Sequence, residues 1–342
     1  MIILPYLGYG TPQKLRLCGR VLQDEGFQPA AQTERRWRNL VAFFKRMESD
    51  VVPRAKVIAS FAASGVETLS DRQGYFSIEL AGPAAAGWND IELELADRPA
   101  VRATGRVLVP SPRAAFGVIS DIDDTVVYSN ASRKLRMIVS IALSNARTRK
   151  PFKGVAAFYR ALESAVNPFF YVSKSPWNLY VPLVEYLQVQ GLPAGPLLLR
   201  DFGLRMEKDH KTRAIEDILG TYPALEFILV GDSAEQDPEI YSAIVRRHPQ
   251  RIRVIYIRAA HRDPARGAAI DRLIAEVAKT KCQLLLAPDS EFAAAHAAAE
   301  GLISAADLAA IRKATASDLR LAGSAAGRPS RASRSRRRRA TR

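Results

Sequence analysis

The chain has 342 residues, of which 48% are hydrophobic and 25% charged, and a formal net charge of +15. This is globular composition over a length that suggests about two domains, so neither disulfide nor zinc staples are required. The two cysteines, Cys18 and Cys282, are far apart and outside any C-x-x-C spacing, which excludes a disulfide framework or a cysteine zinc site and suits a reducing cytoplasm.

The first ten residues, MIILPYLGYG, carry no basic leader and are broken at Pro5 and Gly8, so secretion is not expected. No run approaches the roughly 20 apolar residues of a spanning helix, and any membrane contact is expected to be peripheral. At the other end, eight arginines lie between Arg328 and Arg342 with no acidic residue among them; taking them from +15 leaves +7. Arg, Ser, Pro and Ala cannot build a core, which predicts a disordered Arg-rich tail over 324–342. Weak binding of nucleic acid or anionic lipid is the alternative for this tail.

Residues 14–24 and 52–108 read as short strands between turns, with period-two alternation in VIASFAA, YFSIEL and DIELELAD. They predict a small N-terminal β-sandwich over 1–112, with a turn at Asp71–Gly74. Between them, Arg35 to Met47 has helical spacing and a basic face. After Pro110-Ser111-Pro112 the pattern changes to apolar strands alternating with helices, the signature of a parallel sheet, predicted over 113–285. Strands are expected at 116–120, 169–172, 197–199, 227–230 and 252–257. Helices are expected at 154–165, 179–190, 212–219, 238–247 and 268–278. An Ala-rich segment, 286–323, predicts two helices separated near Gly301.

Four motifs fall at the carboxyl ends of the expected strands, where ligands gather in open sheets of this kind. In Asp121-Ile122-Asp123-Asp124-Thr125, Asp121 fits an oxygen nucleophile already ionised at neutral pH and Asp123 can protonate a leaving alkoxide and then activate water, the alternative being a plain Asp-rich turn after a strand. Thr125 and Val126 stand where a calcium loop needs Asp or Asn and then Gly, so an EF-hand is poorly supported. Ser173, after Phe169–Val172, can donate to a phosphate oxygen or can cap the following helix. Lys211, near a helix start, can neutralise charge on a transferring phosphoryl group, with Lys174 and Lys208 as competitors. Gly231-Asp232 through Asp237 offers hard oxygen ligands of the kind magnesium prefers, Asp232 directly and Asp237 directly or through water, or else forms a turn that caps the next helix.

In this order the motifs resemble the haloacid dehalogenase superfamily of phosphatases. The wording of Ser120–Thr125, Tyr171–Trp177, Gly191–Pro196 and Gly231–Tyr241 is similar to the catalytic domain of the actin-patch-associated phosphatidate phosphatase family. The resemblance implies an α/β fold: a Rossmann-like three-layer parallel sheet of haloacid dehalogenase type, preceded by the β-sandwich. It implies Asp121 as nucleophile, Asp123 as acid and base, and Thr125, Ser173 and Lys211 as phosphate-binding residues. It further implies Mg2+ held by Asp121, Asp123, Asp232 and Asp237, and phosphatidate as substrate. Lys174 stands where the family more usually has asparagine, and the Arg-rich tail replaces the proline-rich tail of fungal members.

From Thr125 to Leu162 the chain has eight Lys and Arg and no acidic residue, including Arg133, Lys134, Arg136, Arg147, Arg149, Lys150 and Lys153. Interleaved Leu135, Met137, Ile138, Ile141 and Leu143 suggest either an amphipathic helix lying on an anionic membrane or a cap with a basic rim. The other functions open at this point are a phosphatase of soluble monoesters or nucleic-acid ends, and a non-catalytic protein that binds anionic surfaces.

Overall fold

The computed structural model describes residues 1–23, 51–122, 154–164, 166–200, 209–259 and 264–326, the last ten by backbone only. The expected helix at 35–47, Asp123, Thr125, Lys208, the basic stretch from Arg133 to Lys153 and residues 327–342 of the Arg-rich tail therefore lie outside the described residues, while 324–326, expected to be disordered, end a helix.

Two sheets make up the described part. The first contains β1 (Ile2–Pro5), β2 (Gly8–Gly10), β3 (Lys14–Leu22), β4 (Lys56–Phe61), β5 (Ser64–Leu69), β6 (Tyr75–Ala81), β7 (Gly87–Leu95) and β8 (Arg98–Val109). Its path runs β1-β3-β2-β8-β7-β4-β5, with β6 on β3, and it is antiparallel except where β2 meets β8. Strict alternation explains it: in β6 the buried residues Phe76, Ile78 and Leu80 alternate with exposed ones, so one face covers an apolar core with Leu15, Leu17, Val57, Ile91, Leu93 and Val107. The Asp71 carboxylate accepts N–H bonds from Gln73 at 2.7 Å and Tyr75 at 2.9 Å and so builds the expected turn into β6. The first ten residues, read only as a broken apolar stretch, form β1 and β2.

The second sheet is parallel throughout, in the order β11-β10-β9-β12-β13-β14. Its strands are β9 (Gly117–Asp121), β10 (Phe169–Pro176), β11 (Leu197–Arg200), β12 (Phe227–Asp232), β13 (Ile252–Arg258) and β14 (Gln283–Ala287). The first five match the expected strands, while β14 was not anticipated. Helices α1 (Val155–Glu163), α2 (Tyr180–Val189), α6 (Ser290–Ala299) and α7 (Ala305–Ala326) cover one face of the sheet. Helices α3 (His210–Thr221), α4 (Asp237–Arg247) and α5 (Pro264–Val277) cover the other. The strands are apolar on both sides for this reason: Val118 faces the first helical layer and Ile119 the second.

From β9 the chain winds outward to β10 and β11, then returns to place β12 on the other side of β9. The strand order thus reverses between β9 and β12, and the crevice at their carboxyl ends is where a sheet of this type binds ligands. Asp121 ends β9 and Asp232 ends β12.

Candidate active site

Lys211 owes its position to helical periodicity. The buried residues of α3 are Lys211, Ala214, Ile215, Ile218 and Leu219, a stripe at i, i+3, i+4, i+7 and i+8. The lysine occupies the first place in an otherwise apolar stripe, so it points at the sheet from the helix end nearest Asp121. On α4, Asp237, Tyr241, Ile244 and Val245 form the corresponding stripe, and Asp237 lies in the first turn, where the helix dipole favours an anion.

These side chains meet. Lys211 Nζ lies 2.9 Å from Asp121 Oδ1 and 2.8 Å from Asp237 Oδ1, with 2% of the lysine side chain exposed. The second oxygen of Asp237 accepts the Asp232 backbone N–H at 2.9 Å. Asp237 is therefore engaged at both oxygens, by a cation and by the strand end. Gly231 makes this approach possible, because a Cβ there would lie 2.6 Å from Asp237 Oδ2 and 2.7 Å from the Tyr241 ring.

Asp232 is held differently. Its Oδ1 accepts the Ala234 N–H at 2.6 Å, and its Oδ2 pairs with Arg258 Nε from the end of β13. Burial pushes the carboxyl up to about 6; the Ala234 bond and Lys211 oppose the rise, and the Asp237 and Glu235 charges add to it. Burial draws Arg258 itself down, with Asp121 acting in the opposite sense.

Ser173 lies one residue beyond the Val172–Asp121 register pair, beside the end of β9. It does not cap the following helix. Its Oγ instead accepts the Ser175 N–H at 2.9 Å, within the irregular end of β10 that leads to Trp177. Lys174 turns away to Glu235 at 3.0 Å, which separates it from Lys211, the lysine that reaches Asp121. Ser120 contacts Tyr159 Oη at 2.8 Å, and Asp121 Oδ1 accepts the Ile122 N–H at 2.7 Å.

Of the residues expected from sequence, Asp121, Lys211, Asp232, Asp237 and Ser173 converge on the strand ends flanking the switch point. Arg258 was missed. The available signal was its place directly after the apolar strand 252–257, the same position relative to β13 that Asp121 and Asp232 hold relative to their strands. Among the described residues no three acidic, His or Cys side chains form a metal-type cluster. The described donor set still fits a hard cation: magnesium requires one or two carboxylates plus phosphate and water, and the buried Asp232 carboxyl, flanked by the charges of Asp237 and Glu235, lines the cavity at the strand ends. Asp237, wholly buried and outside the cavity lining that includes Asp232, is better arranged to orient Lys211 and the β12 end than to ligate directly.

Residues 116–259 match the family described as Phosphatidate phosphatase APP1, catalytic domain, which bears out the resemblance read from the motifs. Phosphatidate phosphatase APP1 of Saccharomyces cerevisiae is 32% identical over 151 residues, 42% of this chain and 26% of that protein. An uncharacterised Schizosaccharomyces pombe protein is 26% identical over 218 residues, 59% of this chain and 35% of that one. The chain thus spans about a quarter to a third of the length of these curated relatives. A Xanthomonas citri carbohydrate acetylesterase structure covers 82% of this chain and 66% of its own, at 11% identity and a TM-score of 0.31, too distant to bear on fold or function.

Proposed function

With residues 116–259 matching the phosphatidate phosphatase APP1 catalytic domain, we propose that this protein is a magnesium-dependent phosphatase that converts phosphatidate to diacylglycerol through an aspartyl-phosphate on Asp121. The observation that carries the reading is the Lys211 ammonium shared between Asp121 and Asp237 at the sheet's switch point. Under it, the parallel sheet and its helices are the three-layer haloacid dehalogenase arrangement, and the N-terminal sheet is a β-sandwich.

Asp121 attacks phosphorus as a carboxylate, so no proton need be removed first. As the new O–P bond forms, the ester P–O bond breaks and the leaving alkoxide takes a proton from Asp123. The resulting Asp123 carboxylate then takes a proton from water, whose oxygen attacks the same phosphorus, releasing inorganic phosphate and regenerating Asp121. Lys211 supplies positive charge beside the nucleophile through both steps, and Thr125 and Ser173 hold phosphate oxygens. Magnesium, held by Asp121, Asp123 and Asp232 with Asp237 in support, would neutralise charge on the phosphoryl oxygens. Access to the lipid is through peripheral membrane contact.

The test is phosphate release by the purified full chain from phosphatidate in mixed micelles, lysophosphatidate, sugar phosphates, nucleotides and phosphorylated oligonucleotides. Activity on phosphatidate should vanish with EDTA, return with Mg2+ and be abolished by Asp121→Asn. Wild-type rates in that variant would reject the mechanism. Turnover of sugar phosphates or oligonucleotides with none of phosphatidate would reject the lipid and leave a phosphatase.

A further inference from the structure

A cavity of about 160 Å3 opens at the same strand ends and runs toward the interior on the face covered by α1, α2 and α6. Asp121, Asp232 and Arg258, each the last residue of its strand, line its reactive end. Further in, the wall is Phe158, Leu187, Leu192 and Ala293. Leu187 lies in the last turn of α2, a helix that runs back against the strand direction, so the cavity descends away from the carboxylates.

Its tyrosines decide what kind of molecule it suits. Tyr159 Oη is bonded to Ser120 at 2.8 Å, Tyr171 Oη donates to the Pro193 carbonyl at 2.9 Å, and Tyr256 Oη is 2.9 Å from His296 Nδ1. These three of the four lining tyrosines, with Tyr186 the fourth, have their hydroxyls engaged with protein and offer an occupant ring surface. Ser120 and Asp289, also in the lining, already bond Tyr159 and the Phe292 N–H, so a sugar or nucleobase placed here would replace few of its hydrogen bonds to water, whereas hydrocarbon has none to lose.

We propose that this cavity receives an acyl chain of a phosphomonoester lipid whose phosphate sits at Asp121. The inference rests on the phosphatase reading above and adds the part of the site that selects the leaving group. An apolar body continuous with a charged mouth matches an amphiphile with one ionic end.

The experiment uses the full chain and a series of n-alkyl phosphates from butyl to dodecyl, each below its aggregation concentration, so that no lipid surface is present. If the chain enters the cavity, kcat/KM rises by about fourfold per methylene until the cavity is full and then levels off. Ala293→Leu on α6 and Leu192→Phe, from a different element, should move that plateau to shorter chains. A flat series in the wild type, with butyl phosphate still hydrolysed, overturns the acyl site and leaves the phosphatase standing. So does a rise whose plateau neither folded variant moves. No turnover of any ester under conditions that saturate with Mg2+ sinks the phosphatase reading itself. The wild-type series is decisive without either variant, so a variant that misfolds does not shield the inference.

Discussion

Tyr6, from the N-terminal sheet region, stacks on Trp177 with ring centroids 5.0 Å apart and planes 4° from parallel. Trp177 follows directly on β10, the strand that carries Ser173 and Ser175, and Tyr180, its ring centroid 4.0 Å from that of Tyr6, accepts the Leu7 N–H at 2.6 Å at the same junction. Nearby, Tyr9 and Arg16 both bond Asp217 on α3, the helix that carries Lys211. The N-terminal sheet thus braces two elements of the candidate site from outside.

That bracing predicts a divided response at position 6. Tyr6 is 2% exposed and its hydroxyl has no hydrogen-bond partner among the described residues. Tyr6→Phe should be neutral or slightly stabilising, because it removes an unpaired buried polar atom. Tyr6→Ala should cost about 3–5 kcal/mol by loss of ring burial and the cavity left behind. Urea denaturation of the three proteins tests both; a large loss in Tyr6→Phe would mean the hydroxyl has a partner that matters.

Lys211→Met should do more damage than its size suggests. It removes the cation that the buried carboxylates of Asp121 and Asp237 share, a change worth about 3–5 kcal/mol in stability and most of the activity. Adding Asp237→Asn should recover part of the stability and none of the turnover. Denaturation midpoints and phosphate release, measured on the same preparations, separate the two effects.

The Asp232 carboxyl yields a pH prediction. Burial raises its folded value to about 6, above the roughly 3.9 of an unfolded aspartate. The folded metal-free protein therefore binds this proton more tightly, and the associated stability is complete below about pH 4 and lost as pH rises through 6. A bound divalent cation reverses the preference for the proton. The increase in Tm on adding Mg2+ should thus grow between pH 5 and 7 and be much smaller in Asp232→Asn. A Mg2+ effect independent of pH across this interval would count against Asp232 as a ligand.

Much of this was determined by local sequence. Periodicity marked five of the parallel strands and the helices between them, since alternation and the 3.6-residue repeat act over a few residues. The α3 stripe even contained the reason for Lys211, which sits where that repeat demands an apolar residue. Other features were decided only by tertiary structure. QLLLA is too short for its period to separate strand from helix, and pairing with β13 settles β14. Pro5 looked like a break, yet β1 is the edge of its sheet, where a missing N–H costs no ladder bond. The Arg258–Asp232 pair, the Tyr6–Trp177 stack and the acyl-sized cavity join residues 26 to more than 170 positions apart. No local pattern encodes such distances, because they arise only when the sheet twists its strand ends together.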